Sequence, residues 1–379
     1  MPTDHDNPVI EMLVLQPTPF CNIDCAYCYL PDRSSRQRMS EATLARAFER
    51  VFSSPFLSDS LTVLWHAGEP LVPGIAYYER AFAVLMQHKP KQVRVTHNFQ
   101  TNGTLLTQAW IALFKAHDVQ IGLSLDGPAV LHDRYRQTRG RTGTFDQVMC
   151  GLRLLRDNNI AFDVISVLTR DSLQSARVLF QFYVENGIER IAFNIEEIEG
   201  RHKRSSLQSN GIDDAVRRFY REFMTLTAAN SDKPEVREFT GAFHSIANPA
   251  SAQYGNPMSQ PLRTISVGVN GEISTFSPEL LGYGSERHGQ FVFGNVHDNN
   301  IEDILHNDRF LSVNAEIARG VANCRRSCEY FEICRGGCPV NKFFENGTFE
   351  STETLFCRLS KKAVIDVVLE KVERSLKAA

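Results

Sequence analysis

Residues 19–30 read PFCNIDCAYCYL, a Cys-x3-Cys-x2-Cys arrangement formed by Cys21, Cys25 and Cys28. The stretch follows directly on an apolar, β-type run at 9–15. Three thiolates so close in sequence can wrap one metal cluster, and thiolates are the favoured ligands of iron in such clusters. No fourth cysteine or histidine follows within reach; the next candidate, His66, ends another expected strand. Structural zinc takes four protein ligands. Three ligands leave one iron open to a small molecule, which is a requirement of catalysis.

Outward from this loop, apolar β-type runs alternate with amphipathic helical runs. Strands are expected at 9–15, 61–66, 93–100, 119–125, 162–168 and 190–196, and helices at 40–53, 75–88, 107–117, 144–158, 173–186 and 213–229. Six βα units imply an α/β fold with a parallel sheet and crossover helices, curled by right-handed crossovers into a partial barrel. Ser40 and Glu41 fit an N-cap and an acidic first turn. The βα region occupies 1–230. An irregular bridging region rich in Pro, Asn, Ser and Gly follows at 231–262, then a loop-rich cysteine segment at 263–358 and a terminal helix at 359–379. Within that segment Asn270-Gly271 sits between apolar runs, a two-residue hairpin signal.

The 379 residues suffice for a sizeable core, and 42% hydrophobic with 22% charged residues is ordinary for a globular chain. A net charge of −3 argues against nucleic-acid binding. The opening MPTDHDNPVI is no secretion signal, and no stretch approaches the roughly 18 apolar residues of a membrane span. A cytoplasmic protein is expected, and in that compartment the eight of nine cysteines that fall in two groups read as metal sites rather than disulfides. Cys150, alone on the helical pattern FDQVMCGLRLL, is expected to be a buried core thiol.

The cysteine loop, with Tyr27 before its last cysteine, resembles the signature of the radical S-adenosylmethionine (SAM) superfamily. Ala67-Gly68-Glu69-Pro70 resembles that family's Gly-Gly-Glu-Pro segment with Ala in place of the first Gly, and Gln100-Thr101-Asn102-Gly103 and Ser124-Leu125-Asp126-Gly127-Pro128 resemble two further segments. Each alone is turn chemistry; together they follow successive strands at the ends where parallel sheets place active sites. The resemblance implies a [4Fe–4S] cluster that binds and cleaves SAM, fed by an external one-electron reductant of flavodoxin or ferredoxin type. It implies that carbonyls of the 67–70 segment bind the SAM amino group with support from Glu69. It further implies that Gln100, Asn102, Ser124 and Asp126 contact the ribose or carboxylate or shape the pocket. Ser124 and either Arg136 or Arg139 are carboxylate partners on this reading; a solvated basic face is the alternative for the loop HDRYRQTRGRTG.

The second group, Cys324-x3-Cys328-x5-Cys334-x3-Cys338-x18-Cys357, resembles the SPASM domain of radical SAM enzymes that modify peptides, which binds auxiliary [4Fe–4S] clusters. The family's usual seven cysteines include two flanking a hairpin, and Phe276 stands where the second of these is expected. One auxiliary cluster is therefore expected, on Cys324, Cys328, Cys334 and Cys357, with Cys338 left over from the lost site. Structural zinc is the alternative.

Three strings, at 193–200 (FNIEEIEG), 274–282 (STFSPELLG) and 334–342 (CRGGCPVNK) with Thr352-Glu353-Thr354, resemble maturases that build three-residue cyclophanes in ribosomally made peptides, especially those acting on glycine-rich-repeat precursors. That resemblance implies hydrogen abstraction from a Cβ and attack on an aromatic ring two residues away. Glu279 is then the first candidate base and Glu197 the second, against a solvent-facing Glu279. The rivals are a formylglycine-generating sulfatase maturase, disfavoured by Ser277 where that family has Asp, and sactionine or epimerase chemistry. A zinc-stabilised peptide-binding protein is the non-enzyme alternative. The few residues before the first strand leave no room for a leader-recognition domain, so the precursor is expected to bind elsewhere.

Overall fold

The computed structural model describes residues 8–230, 234–248 and 256–378. Six parallel strands run in chain order: β1 (Ile10–Leu15), β2 (Leu57–Trp65), β3 (Arg94–Thr101), β4 (Gln120–Ser124), β5 (Phe162–Leu168) and β6 (Arg190–Ile195), each hydrogen-bonded to the next. Between them lie α1 (Glu41–Ser53), α2 (Ile75–His88), α3 (Gln108–Ala116), the short α4 (Ala129–Tyr135), α5 (Phe145–Asp157) and α6 (Ala176–Glu185); α7 (Ile212–Ala229) follows β6. This is the partial barrel expected from the alternation. Ser40 caps α1 by accepting from the Thr43 N–H at 3.0 Å. The strand interiors are aliphatic and aromatic, with Leu13, Leu15, Val63, Trp65, Phe99, Leu123 and Val164 buried.

The 231–262 region is less irregular than its composition suggests. Its described part contains β7 (Glu235–Val236), paired with β6, and α8 (Arg237–Ala247). Phe239 and Ala242 bury one face of this helix, a pattern masked by the Pro- and Asn-rich flanks.

Beyond it, β8 (Thr264–Val267) pairs parallel with β1, and β9 (Glu272–Thr275) pairs antiparallel with β8, so the hairpin extends the barrel sheet at the position expected to begin a separate segment. Gly268 N–H donates to Glu272 O (2.9 Å) and Gly271 N–H to Gly268 O (3.0 Å), with Gly271 at φ +88. This is the three-residue turn with a bulge rather than the two-residue form. A small ribbon, β10 (Gly284–Ser285) with β11 (Gly289–Gln290), precedes β12 (Gly294–Asn295), which joins β9 and completes a ten-stranded sheet.

The cysteine segment is not loop-rich throughout. It contains the 20-residue α9 (Asp308–Ser327), capped by Asn307, whose side-chain oxygen accepts from the N–H groups of Arg309 and Phe310. Phe310, Val313, Ile317, Gly320 and Cys324 form its buried stripe. Short helices α10 (Phe331–Cys334) and α11 (Pro339–Asn346) follow. A π-helical stretch at Cys357–Lys362 then leads into α12 (Ala363–Ala378), tied to α7 by Arg217–Asp366 and Arg221–Glu370 ion pairs of 2.9 and 2.8 Å. No helix among the described residues is long and apolar enough to cross a membrane.

Candidate active site and auxiliary cysteine site

The C-terminal ends of the strands and the hairpin enclose a cavity of about 480 Å³. Cys21, Cys25 and Cys28 line it together with Tyr27, Ala67, Gly68, Glu69, Gln100, Asn102, Ser124 and Arg136. Pro70, Asp126 and Arg139 do not. Pro70 is held behind the wall, its carbonyl accepting from the Tyr78 hydroxyl. Arg139 faces the other side of the cysteine loop, donating to the Cys21 carbonyl at 3.0 Å and to the Arg33 carbonyl. Of the two arginines weighed for the SAM carboxylate, only Arg136 reaches the cavity.

Asp126 acts from below. Its carboxylate is buried and takes Arg136 Nε at 2.9 Å, Arg136 Nη2 at 3.2 Å, the Val167 N–H at 2.9 Å and the Tyr27 hydroxyl. Arg136 also lies 5.3 Å from the Tyr27 ring centroid. One carboxylate thus orients two side chains of the cavity wall.

Glu69 is buried and accepts from Thr101 Oγ1 (2.6 Å), the Asn102 N–H (2.8 Å) and the Leu71 N–H (3.0 Å). It pins the loop after β2 to the loop after β3. Burial pushes its carboxyl up to about 7 against the pull of these donors. Gly68 sits at φ +57, where a Cβ would come within 2.5 Å of the carbonyl oxygens of Phe20 and Thr18. Ala67, standing where the family pattern has glycine, also takes a left-handed conformation, φ +71. Gln100 Nε2 donates to Ser124 Oγ at 3.0 Å, and Asn102 Nδ2 reaches Asn22 Oδ1 at 2.9 Å and Cys21 Sγ at 3.8 Å.

The donor set fits an iron–sulfur cluster. Burial pushes the Cys21 and Cys25 thiols up, Cys25 to about 12. Thiolates here therefore require a compensating cation. Among the described residues no three Cys, His, Asp or Glu side chains converge to the spacing of a single metal ion. The sulfurs instead line a space far larger than one ion needs.

Glu197 and Glu279 line the same cavity, and so does Glu199, which is not among the candidates expected from sequence. Burial raises all three carboxyls, Glu197 to about 7, and their mutual repulsion adds to it for Glu197 and Glu199. Asn341 Nδ2 donates to Glu197 at 2.6 Å, and the Ser277 hydroxyl donates to Glu279, which therefore faces the cavity wall and not open solvent. Glu199 Oε1 and the Tyr29 hydroxyl are buried with no hydrogen-bond partner among the described residues. His66 also lines the cavity, its Nδ1 unpartnered. The available signal was position: Glu197 and Glu199 follow β6 at its C-terminal end, and His66 follows β2.

A second cavity of about 340 Å³ is ringed by Cys324, Cys328, Cys334 and Cys357, with Lys361 and Lys362 at its edge. Cys338 is absent from it and lines the large cavity instead. The cause is local: Arg335, Gly336 and Gly337 have φ of +57, +101 and +73, reversing the chain between Cys334 and Cys338. Lys342 is buried, with Nζ 3.3 Å from Cys324 Sγ and 3.1 Å from the Gly320 carbonyl, so a cation stands ready for a thiolate. Four thiols around one cavity fit a fully ligated cluster. Cys150, by contrast, is exposed: α5 buries Val148, Met149, Leu152 and Leu155, and the helical turn carries position 150 to the outer face.

A model of the radical SAM superfamily matches residues 15–183. The chain is 39% identical over 370 residues to an uncharacterized protein of Synechocystis sp., a match covering 97% of this chain and 93% of the other. The chain belongs to the radical SAM superfamily. It is also 30% identical over 205 residues to a serine-type anaerobic sulfatase-maturating enzyme of Klebsiella aerogenes, covering 53% of this chain and 51% of that one. Among solved structures, native anSMEcpe with bound AdoMet superposes with a TM-score of 0.77 at 19% identity, covering 97% of this chain and 100% of that one. Streptococcus suis SuiB bound to precursor peptide SuiA superposes with 0.65 at 18% identity, covering 92% and 76%. At such identities the likeness is one of fold. As a radical SAM protein this chain uses a [4Fe–4S] cluster and SAM.

Proposed function

We propose that this radical SAM enzyme is a maturase of a ribosomally made peptide, forming a carbon–carbon cross-link between an aromatic ring and a Cβ. The observation that carries the reading is that Glu197, Glu199 and Glu279 line the same cavity as the three cluster thiols. Cys21, Cys25 and Cys28 would hold the cluster, which together with SAM would supply a carbon radical able to take a hydrogen atom from Cβ. Closure onto the ring leaves one electron and one proton to be removed. Glu279 takes the proton, burial having raised its carboxyl above the ordinary range and so made it the stronger base. Ser277 fixes its orientation. Glu197, held by Asn341, is the second acceptor. Cys324, Cys328, Cys334 and Cys357 would hold an auxiliary cluster, which supplies a one-electron acceptor. Asp126 keeps Arg136 turned to the cavity for an anionic group such as the SAM carboxylate.

The test is incubation with peptides encoded beside the gene, read by mass. A loss of two hydrogens, one of them from a ring position, supports the cross-link; unchanged mass with solvent deuterium at Cα would replace it by epimerisation. The likeness to sulfatase-maturating enzymes favours one second reading, oxidation of a side chain to an aldehyde. A hydrazide reagent captures that product and leaves a cyclophane untouched.

A further inference from the structure

The cysteine loop has two faces, and Cys25 belongs to both. On one side it lines the large cavity; on the other it lines a separate surface depression of about 450 Å³ with Arg33, Arg139, Arg141 and Arg201. Asp24 is the one carboxylate in that lining, and two of the arginines already approach it, Arg33 at 2.8 Å and Arg141 at 3.5 Å. Arg36 and Arg139 flank Phe20, their guanidinium carbons 4.8 and 4.9 Å from the ring centroid. Arg36, Arg139, Arg141 and Arg201 are exposed. This concentration of positive charge stands on a chain whose net charge is −3, so it is a local feature and not general basicity.

The patch is wired to the ligand loop. Arg139 Nε donates to the Cys21 carbonyl at 3.0 Å and Arg33 Nη1 to the Cys25 carbonyl at 3.3 Å. A group docked on these arginines therefore lies against the backbone that carries two of the three thiols, on the side away from the SAM and substrate residues. A radical SAM cluster must receive one electron from outside for each cleavage, and the donor cannot enter through a cavity filled by SAM and peptide.

We infer that the Arg33–Arg139–Arg141–Arg201 depression is the docking surface for an acidic, flavodoxin-type electron carrier. One electron leaves the carrier's reduced flavin and enters the cluster beside Cys25; no atom is transferred. Charge complementarity supplies the steering and orientation that such transient encounters depend on. The inference rests on the cluster at Cys21, Cys25 and Cys28 and is independent of which peptide is modified.

The experiment uses the anaerobic holoenzyme and an acidic bacterial flavodoxin. Calorimetric binding is measured at low and at physiological salt for the wild type and for Arg141→Glu with Arg201→Glu, neither of which touches a cysteine carbonyl. The expected result is binding about tenfold weaker in the double variant at low salt, with most of the salt dependence gone. Cluster reduction by flavodoxin slows in parallel, while reduction by dithionite and the iron content stay as in the wild type. The milder pair Arg141→Gln and Arg201→Gln should fall between. Equal affinity and equal salt dependence in wild type and variants, or no flavodoxin binding by iron-loaded wild type, overturns the docking surface. Absence of iron in the wild type would instead refute the cysteine assignment beneath it.

Discussion

The Phe276 ring lies face to face with Phe310, centroids 5.9 Å apart and planes 9° from parallel, at the hairpin position where SPASM-type chains are expected to carry a cysteine. Both side chains are buried, and Phe276 holds a left-handed backbone, φ +74. Aromatic packing between the hairpin and α9 thus fills the place of a ligand. A bulky residue keeps such a backbone only where its surroundings enforce it. Phe276→Ala should cost about 3–5 kcal/mol, the usual range for a buried Phe truncated to Ala. A denaturant midpoint close to the wild type would contradict this packing role.

The same substitution of ring for thiol sets the metal content. Elemental analysis of the anaerobic protein should give about eight irons per chain, four for each of two cubanes. A value near twelve would mean that other side chains complete a third cluster despite Phe276.

Replacing Cys21, Cys25 and Cys28 together by Ala should abolish SAM cleavage while about four irons remain on the second group. The two cavities have no cysteine in common, so the sites should load independently. Formation of 5′-deoxyadenosine by the triple variant would show that the first cysteine group is not the SAM site.

The barrel was readable because its signals are local: aliphatic strands, amphipathic helices and a Ser40 cap all agree with the final fold. What escaped was decided by backbone direction. Arg136 and Arg139 are three residues apart, which on a helix would put them on one face. However, α4 ends at Tyr135 and Arg136 is extended (φ −109, ψ 91), so the two guanidinium groups end on opposite sides of the cysteine loop. Cys334 and Cys338 likewise separate at three consecutive positive φ values, of which only the two glycines gave a hint. Helix α9 is absent from the expected elements although Phe310, Val313 and Ile317 carry helical apolar spacing ahead of its last-turn cysteine, Cys324. Glu199 and His66 were visible as strand-end residues but become candidates only once the sheet curls and brings β2 and β6 to one cavity.

Glu279→Gln should separate radical initiation from product formation. The variant keeps the cysteines and the Glu69 and Arg136 networks, so SAM cleavage should persist. Cross-linked peptide should fall by about 100-fold, the lower range for loss of a general base. Glu197→Gln should have a smaller effect. Unimpaired product formation in Glu279→Gln would move the proton to another acceptor.

Two buried histidines outside the cluster site predict the acid limit of the fold. His97 accepts from Trp65 Nε1 at 3.4 Å, and His132 accepts from the Asp126 N–H at 3.3 Å while its Nε2 meets Thr144 Oγ1 at 3.0 Å. Burial, mainly, lowers both to about 4, from an ordinary value near 6.5. The unfolded chain therefore binds protons that the folded chain refuses between about pH 6.5 and pH 4, so stability must fall as pH drops through this window. Each histidine contributes at most about 1.4 kcal/mol per pH unit there. Thermal midpoints of the anaerobic protein from pH 7.5 to 5.5 should decline. The decline should be shallower in His97→Phe, which keeps a ring among Trp65 and Phe82 but cannot bind the proton. An identical slope in wild type and variant would show that His97 takes up its proton in the folded chain as readily as in the unfolded one.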